Sequence, residues 1–203
     1  MTQKDYILRI AEDVGRALAQ IIYHKEIQDY QGALSLIDEL FKQTMGAGSG
    51  FLHAISEETL LAMLTLLGVL NVEKALLIAT LLKAEGDIYE DQDNPETAYE
   101  SYLKSLNLFL EILLCDDNLH DLRVSSEVED LLGKLEAYEL PPNTKRLLFQ
   151  LYVCTFVRKD GGKGYHVVSR RWWSTLETKE VTHACILNKD ESNRRKHTSS
   201  WVR

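Results

Sequence analysis

Leu82-Lys83-Ala84-Glu85-Gly86-Asp87-Ile88-Tyr89, followed by Ala98-Tyr99-Glu100-Ser101-Tyr102-Leu103-Lys104-Ser105, is the stretch whose reading decides the fold. Apolar and small residues recur in it at helical spacing. Between the halves lies the turn Asp91-Gln92-Asp93-Asn94, and Pro95 stands where a first helical residue belongs. The pattern predicts two helices, over about 72–90 and 95–114, folded back as a hairpin. Gly86 is the small residue where the helices touch, and Ala98, twelve positions later, permits close approach from the second helix. Tyr89, one turn beyond Gly86, is expected to fill the space between them. Leu82, Tyr102 and Ser105 complete the set.

Working outward, the rest of the first 150 residues is helical by the same criterion. Tyr6, Ile10, Val14, Ala17, Leu18 and Ile21 form one apolar stripe, with Thr2 and Asp5 as a capping pair. A second helix is expected over about 30–42, with Ala33, Leu36, Ile37, Leu40 and Phe41 inward. The run Gly46-Ala47-Gly48-Ser49-Gly50 ends it as a flexible loop, and Ser56 with Glu57 and Glu58 starts a third helix. Residues 59–82 read as two buried helices with a tight junction at 68–71. Further helices are expected over about 125–138 and from Asn143 onward, after Pro141-Pro142. No strand alternation is legible before residue 152.

The hairpin has the spacings of a tetratricopeptide repeat, with Leu82 at the position that usually holds tryptophan and Glu85 where leucine is usual. A weaker echo around Ala33 lies 65 residues before Ala98, close to two repeat lengths of about 34 residues. The opening Gln3-Lys4-Asp5-Tyr6-Ile7-Leu8-Arg9 and Gly15-Arg16-Ala17-Leu18-Ala19, with the body up to Tyr152, resembles an uncharacterised bacterial family of small tetratricopeptide-like proteins. That resemblance strengthens the fold read from the periodicity, all-α with six or seven helices in antiparallel hairpins, and assigns no activity.

The composition changes near residue 152. Up to Gln150 there are 12 Lys+Arg against 26 Asp+Glu, a net of −14; beyond it there are 11 against 5, a net of +6. Leucine falls from 30 to 3 across the same boundary, and Trp172, Trp173 and Trp201 all lie beyond it. The expected organisation is a helical domain over 1–152 and a basic, tryptophan-containing, atypical segment over 153–203. The break raises the hypothesis that this segment is a divergent or frame-shifted terminus in place of a closing helix.

Other classes find little support. Asn71, Glu73 and Lys74 divide the apolar run over 59–82 into pieces shorter than the ~20 residues a membrane span needs. Charged residues interrupt the N-terminus, so no signal peptide is expected there, and the location expected is cytoplasmic. Cys115, Cys154 and Cys185 are odd in number and widely spaced, and Cys115 reads as a buried reduced thiol. Asp87, Glu90, Asp91, Asp93 and Glu96 lack the spacing of a calcium loop and read as a solvated acidic turn. His24, His53 and His120 have no evident nucleophile partner. No catalytic residue, cofactor or metal is expected. The leading expectation is a non-enzymatic scaffold binding a protein or peptide, or a second copy of itself. The alternative is a nucleic-acid-associated protein acting through Arg170, Arg171, Trp172 and Trp173, where basic groups stand beside aromatic rings. The −14 body makes nucleic acid the less favoured partner.

Overall fold

The computed structural model describes residues 3–115 and 122–158, and they are almost wholly helical. Eight helices occur among the described residues: α1 (Gln3–Glu26), α2 (Tyr30–Met45), α3 (Ser49–Ala54), α4 (Glu57–Leu64), α5 (Val72–Asp91), α6 (Pro95–Cys115), α7 (Leu122–Lys134) and α8 (Pro142–Arg158). The class expected from the sequence, all-α, is the class observed. The chain divides into two units, residues 1–139 and 140–203. The composition break near residue 152 therefore falls inside α8.

In the first unit the long helices pack in sequence: α1 against α2, α5 against α6, and α6 against α7. The α5–α6 contact is the most extensive, and α5 also touches α1 and α2. Local chemistry sets the ends of these helices. The Asp29 carboxylate accepts the Gly32 N–H at 3.1 Å and starts α2; Ser56 Oγ accepts from Thr59 N at 3.2 Å and starts α4. Asn71 Oδ1 does the same for Lys74 N at the head of α5. Pro95 is the first residue of α6, as its fixed φ and missing N–H favour. Ala33, Ile37 and Phe41 of α2 are buried, together with Ile78, Leu81, Leu82 and Ile88 of α5 and most of α6 from Leu103 to Leu113. No described helix is long and apolar enough to cross a membrane.

Several local expectations are corrected. The glycine run over 46–50 is no free loop. Gly46 ends α2 in the left-handed conformation (φ 74°), its N–H bonded to Lys42 O at 2.9 Å, and Ser49 opens α3, a helix the sequence did not announce. An Asp38 carboxylate oxygen accepts the Ser49 N–H at 2.8 Å and holds this helix start.

The tight junction expected at 68–71 is replaced by residues 65–70. They form a β-hairpin, β1 (Thr65–Leu66) antiparallel to β2 (Val69–Leu70), pairing Thr65 with Leu70 and Leu66 with Val69. Leu67 and Gly68 both have positive φ, 53° and 80°, the requirement of a type I′ turn. Two strands of two residues are too short to show an alternation, which explains why the sequence hid them. Cys115 is exposed rather than buried, at the end of α6.

Candidate functional site

Two polar clusters flank the α5–α6 hairpin, and the hairpin itself is seated on a close approach. A Cβ added to Gly86 would fall 2.6 Å from two carbons of the Tyr102 ring, so only glycine lets the ring lie there. Leu82, Ala98, Tyr102 and Ser105 are all buried, and Ser105 Oγ donates to Ala79 O at 2.7 Å across the two helices. Tyr89 departs from its expected place. It is half-buried and meets His53 of α3 edge-on with 6.4 Å between ring centroids, while its neighbour Ile88 is the fully buried residue.

The first cluster joins α5 and α6 to α7. The Tyr102 hydroxyl lies 2.8 Å from carboxylate oxygens of both Asp87 and Glu90. A phenol has one proton, so it donates to one of them at a time. Lys134 completes the set, at 3.0 Å from Asp87 and 2.8 Å from Glu90, with its ammonium 4.9 Å from the centre of the Tyr102 ring. The Lys134 ammonium holds the Glu90 carboxyl below its ordinary range, and burial beside two carboxylates raises the Tyr102 hydroxyl far above its own. Lys83, one helical turn before Asp87, bridges Glu127 at 2.5 Å and Asp130 at 2.7 Å on α7. Lys25 reaches Asp91 at 3.2 Å. The acidic turn is thus paired with lysines through Asp87, Glu90 and Asp91, rather than simply solvated.

The second cluster is built on Glu85, which is only 1% exposed. Burying an ionised carboxylate is costly unless it is paired and hydrogen-bonded. Here Ser49 Oγ donates to one carboxylate oxygen, and His53 Nε2 lies 3.0 Å from the other. Both partners come from α3, so Glu85 fastens that six-residue helix to α5. Lys104 of α6 grips the other end of α3. Its Nζ donates to the carbonyl oxygens of Leu52, His53 and Ile55 at 2.7, 2.8 and 3.1 Å, satisfying carbonyls that a helix end leaves open. Burial lowers the basicity of Lys104, and Glu100, Glu57 and Glu85 partly oppose that effect. Asn107 Nδ2 donates to Glu57 at the head of α4, and burial pushes the Glu57 carboxyl above its ordinary range.

The chemistry of this arrangement is that of a fastening. Ser49 and His53 are two spokes on one carboxylate, so the hydroxyl does not hand its proton to the imidazole as an activated nucleophile would. All three Lys104 protons point at carbonyl oxygens. His53 Nδ1 is buried without a hydrogen-bond partner and faces Glu100 Oε2 at 3.8 Å. Among the described residues no group of three His, Cys, Asp or Glu is placed to hold a metal ion.

The sequence pattern therefore pointed at one face of the hairpin, and the structure adds a second. Ser49, His53 and Lys104 were not singled out from the sequence as a site. The signal that existed was Glu85 itself, an acidic residue at a position the repeat pattern fills with leucine. His24, also without an evident partner in the sequence, pairs with Asp29 at 2.7 Å. Arg170, Arg171, Trp172 and Trp173 lie outside the described residues, as do His120 and Cys185. No family model, curated protein or solved structure matches this chain.

Proposed function

We propose that the chain is a non-enzymatic protein-binding module of tetratricopeptide-like build, which takes a basic peptide-like segment along its helical array. The observation that carries the reading is the packing of α5, which touches both α1 and α2 while pairing with α6. Successive hairpins stacked in this manner bury a continuous core and leave an extended surface free for a partner. The step from that build to binding is an analogy of fold. Charge gives the partner its chemistry: 26 acidic against 12 basic residues up to Gln150 favour a segment rich in lysine and arginine. The rim formed by His53, Tyr89 and Glu100 offers two half-buried rings beside an exposed carboxylate.

The test is selection of random peptides displayed on phage against the immobilised full chain. Lys/Arg-rich sequences are expected to be enriched, with micromolar affinity of about −8 kcal/mol, weakening as salt rises. Glu100→Gln, which removes one charge at an exposed position, is expected to weaken the selected peptides several-fold while the chain keeps its helical circular dichroism. No enrichment, or enrichment of acidic or uncharged peptides, contradicts the reading.

A further inference from the structure

The β-hairpin over 65–70 is the most exposed apolar feature among the described residues. Leu66, Leu67 and Val69 are 73%, 97% and 71% exposed, and Met63 on the adjoining turn of α4 is 43% exposed. Between Thr59 and Val72 there is no ionisable side chain, and the nearest charges are Glu57, Glu58, Glu73 and Lys74. The finger is fixed in place: Leu60 and Leu64 anchor α4 in the core, and Asn71 N donates to Leu64 O at 2.9 Å beneath the strands. A rigid apolar finger held out in water is costly unless something covers it.

The backbone says what fits. In an antiparallel ladder, hydrogen-bonded and non-bonded pairs alternate. Leu66 and Val69 flank the two-residue turn, and the next rung is Asn71 to Leu64. The intervening pair, Thr65 with Leu70, is then the non-bonded one, so the N–H and C=O of Leu70 point away from β1 along an open edge. Two such edges are complementary to each other across a two-fold axis. Leu70 of one copy meets Leu70 of the other and exchanges both hydrogen bonds.

We propose that this hairpin pairs two copies of the chain, β2 against β2, as a closed two-fold dimer. Paired edge to edge, the two fingers set Leu66, Leu67 and Val69 of each copy side by side and bury only part of their exposed apolar surface, a contact in the size range of weak, transient interfaces, below about 1,200 Å². The contact is isologous, so it closes at two copies and does not propagate. The proposal is independent of the peptide-binding reading, since the finger is none of the residues assigned to the peptide rim.

Sedimentation of the full chain over a concentration series tests it. A reversible monomer–dimer equilibrium in the tens-of-micromolar range is expected. It should tighten with salt, because each chain carries a net charge of −8 and screening relieves their repulsion. Leu67→Asn places a polar residue that tolerates positive φ at the turn, so its melting temperature should be unchanged or higher while the dimer weakens at least about tenfold. Leu66→Lys should abolish the dimer and serves as the second variant. A chain monomeric at every concentration and salt overturns the proposal, as does a dimer indifferent to both variants. A monomeric chain that sediments with phosphatidylcholine vesicles through Leu66 and Leu67 also overturns it, by giving the finger a lipid partner.

Discussion

Glycine at position 86 and glutamate at position 85 are adjacent and meet different neighbours: the glycine takes the Tyr102 ring of α6, and the glutamate takes Ser49 and His53 of α3. Gly86 was legible because a small residue twelve positions before Ala98 fits a helix crossing, and the Tyr102 ring packed against it is the physical reason. Glu85 was legible only as a departure from a pattern, since its partners Ser49 and His53 lie 36 and 32 residues away and come from a helix that glycines disguised. Two glycines contrast. Gly86→Ala should destabilise by about 1–3 kcal/mol through overpacking against Tyr102, even though alanine is the better helix former. Gly15→Ala, where an added Cβ meets nothing within 4 Å, should stabilise by roughly 0.5–1 kcal/mol. Urea melts of the two variants beside the parent chain decide it; equal effects of one sign would remove the crossing.

At the scale of elements, the short helices α3 and α4 are held by polar contacts to the long ones, which gives them a pH signature. Burial raises the Glu57 carboxyl above its ordinary 4.5, so folding favours its neutral form. Its stabilising contribution is complete below 4.5 and is lost as pH rises through the folded value. Glu90 runs the other way: lowered chiefly by Lys134, it contributes above 4.5 and loses that contribution as pH falls. At pH 7, Glu57→Gln is therefore expected to match or exceed the parent in stability, with the difference closing as pH approaches 4. Glu90→Gln should be less stable at pH 7, and its deficit should shrink on acidification. Denaturant melts at the two pH values measure both, and a shared sign at pH 7 would contradict the assignment of the two carboxylates.

The main helices were readable from periodicity because α2 carries a buried stripe, Ala33, Ile37 and Phe41, and because α5 and α6 are long, although α6 is buried on nearly all sides from Ser101 to Leu110. The β-hairpin and α3 were not, since two-residue strands and a six-residue helix give no period to read. What α3 does is visible only in three dimensions, where Lys104 and Glu85 reach it from the long helices.

For the first unit as a whole, the α5–α6 hairpin is the spine. α2 packs on α5, α7 is joined through Lys83 and Lys134, and α3 hangs from Glu85 and Lys104. Segments with few buried contacts open at lower free energy than the core they are mounted on. Native-state hydrogen exchange of the full chain, alone and as Lys104→Met, measures this most directly. The amides of α5 and α6 are expected to exchange only through global unfolding, and those of α3 through a smaller opening. Lys104→Met should leave three carbonyls unpaired, cost about 2–4 kcal/mol, and speed exchange in α3 more than in α5. Exchange in α5 and α6 as fast as in α3, or an α3 untouched by the substitution, would contradict the account.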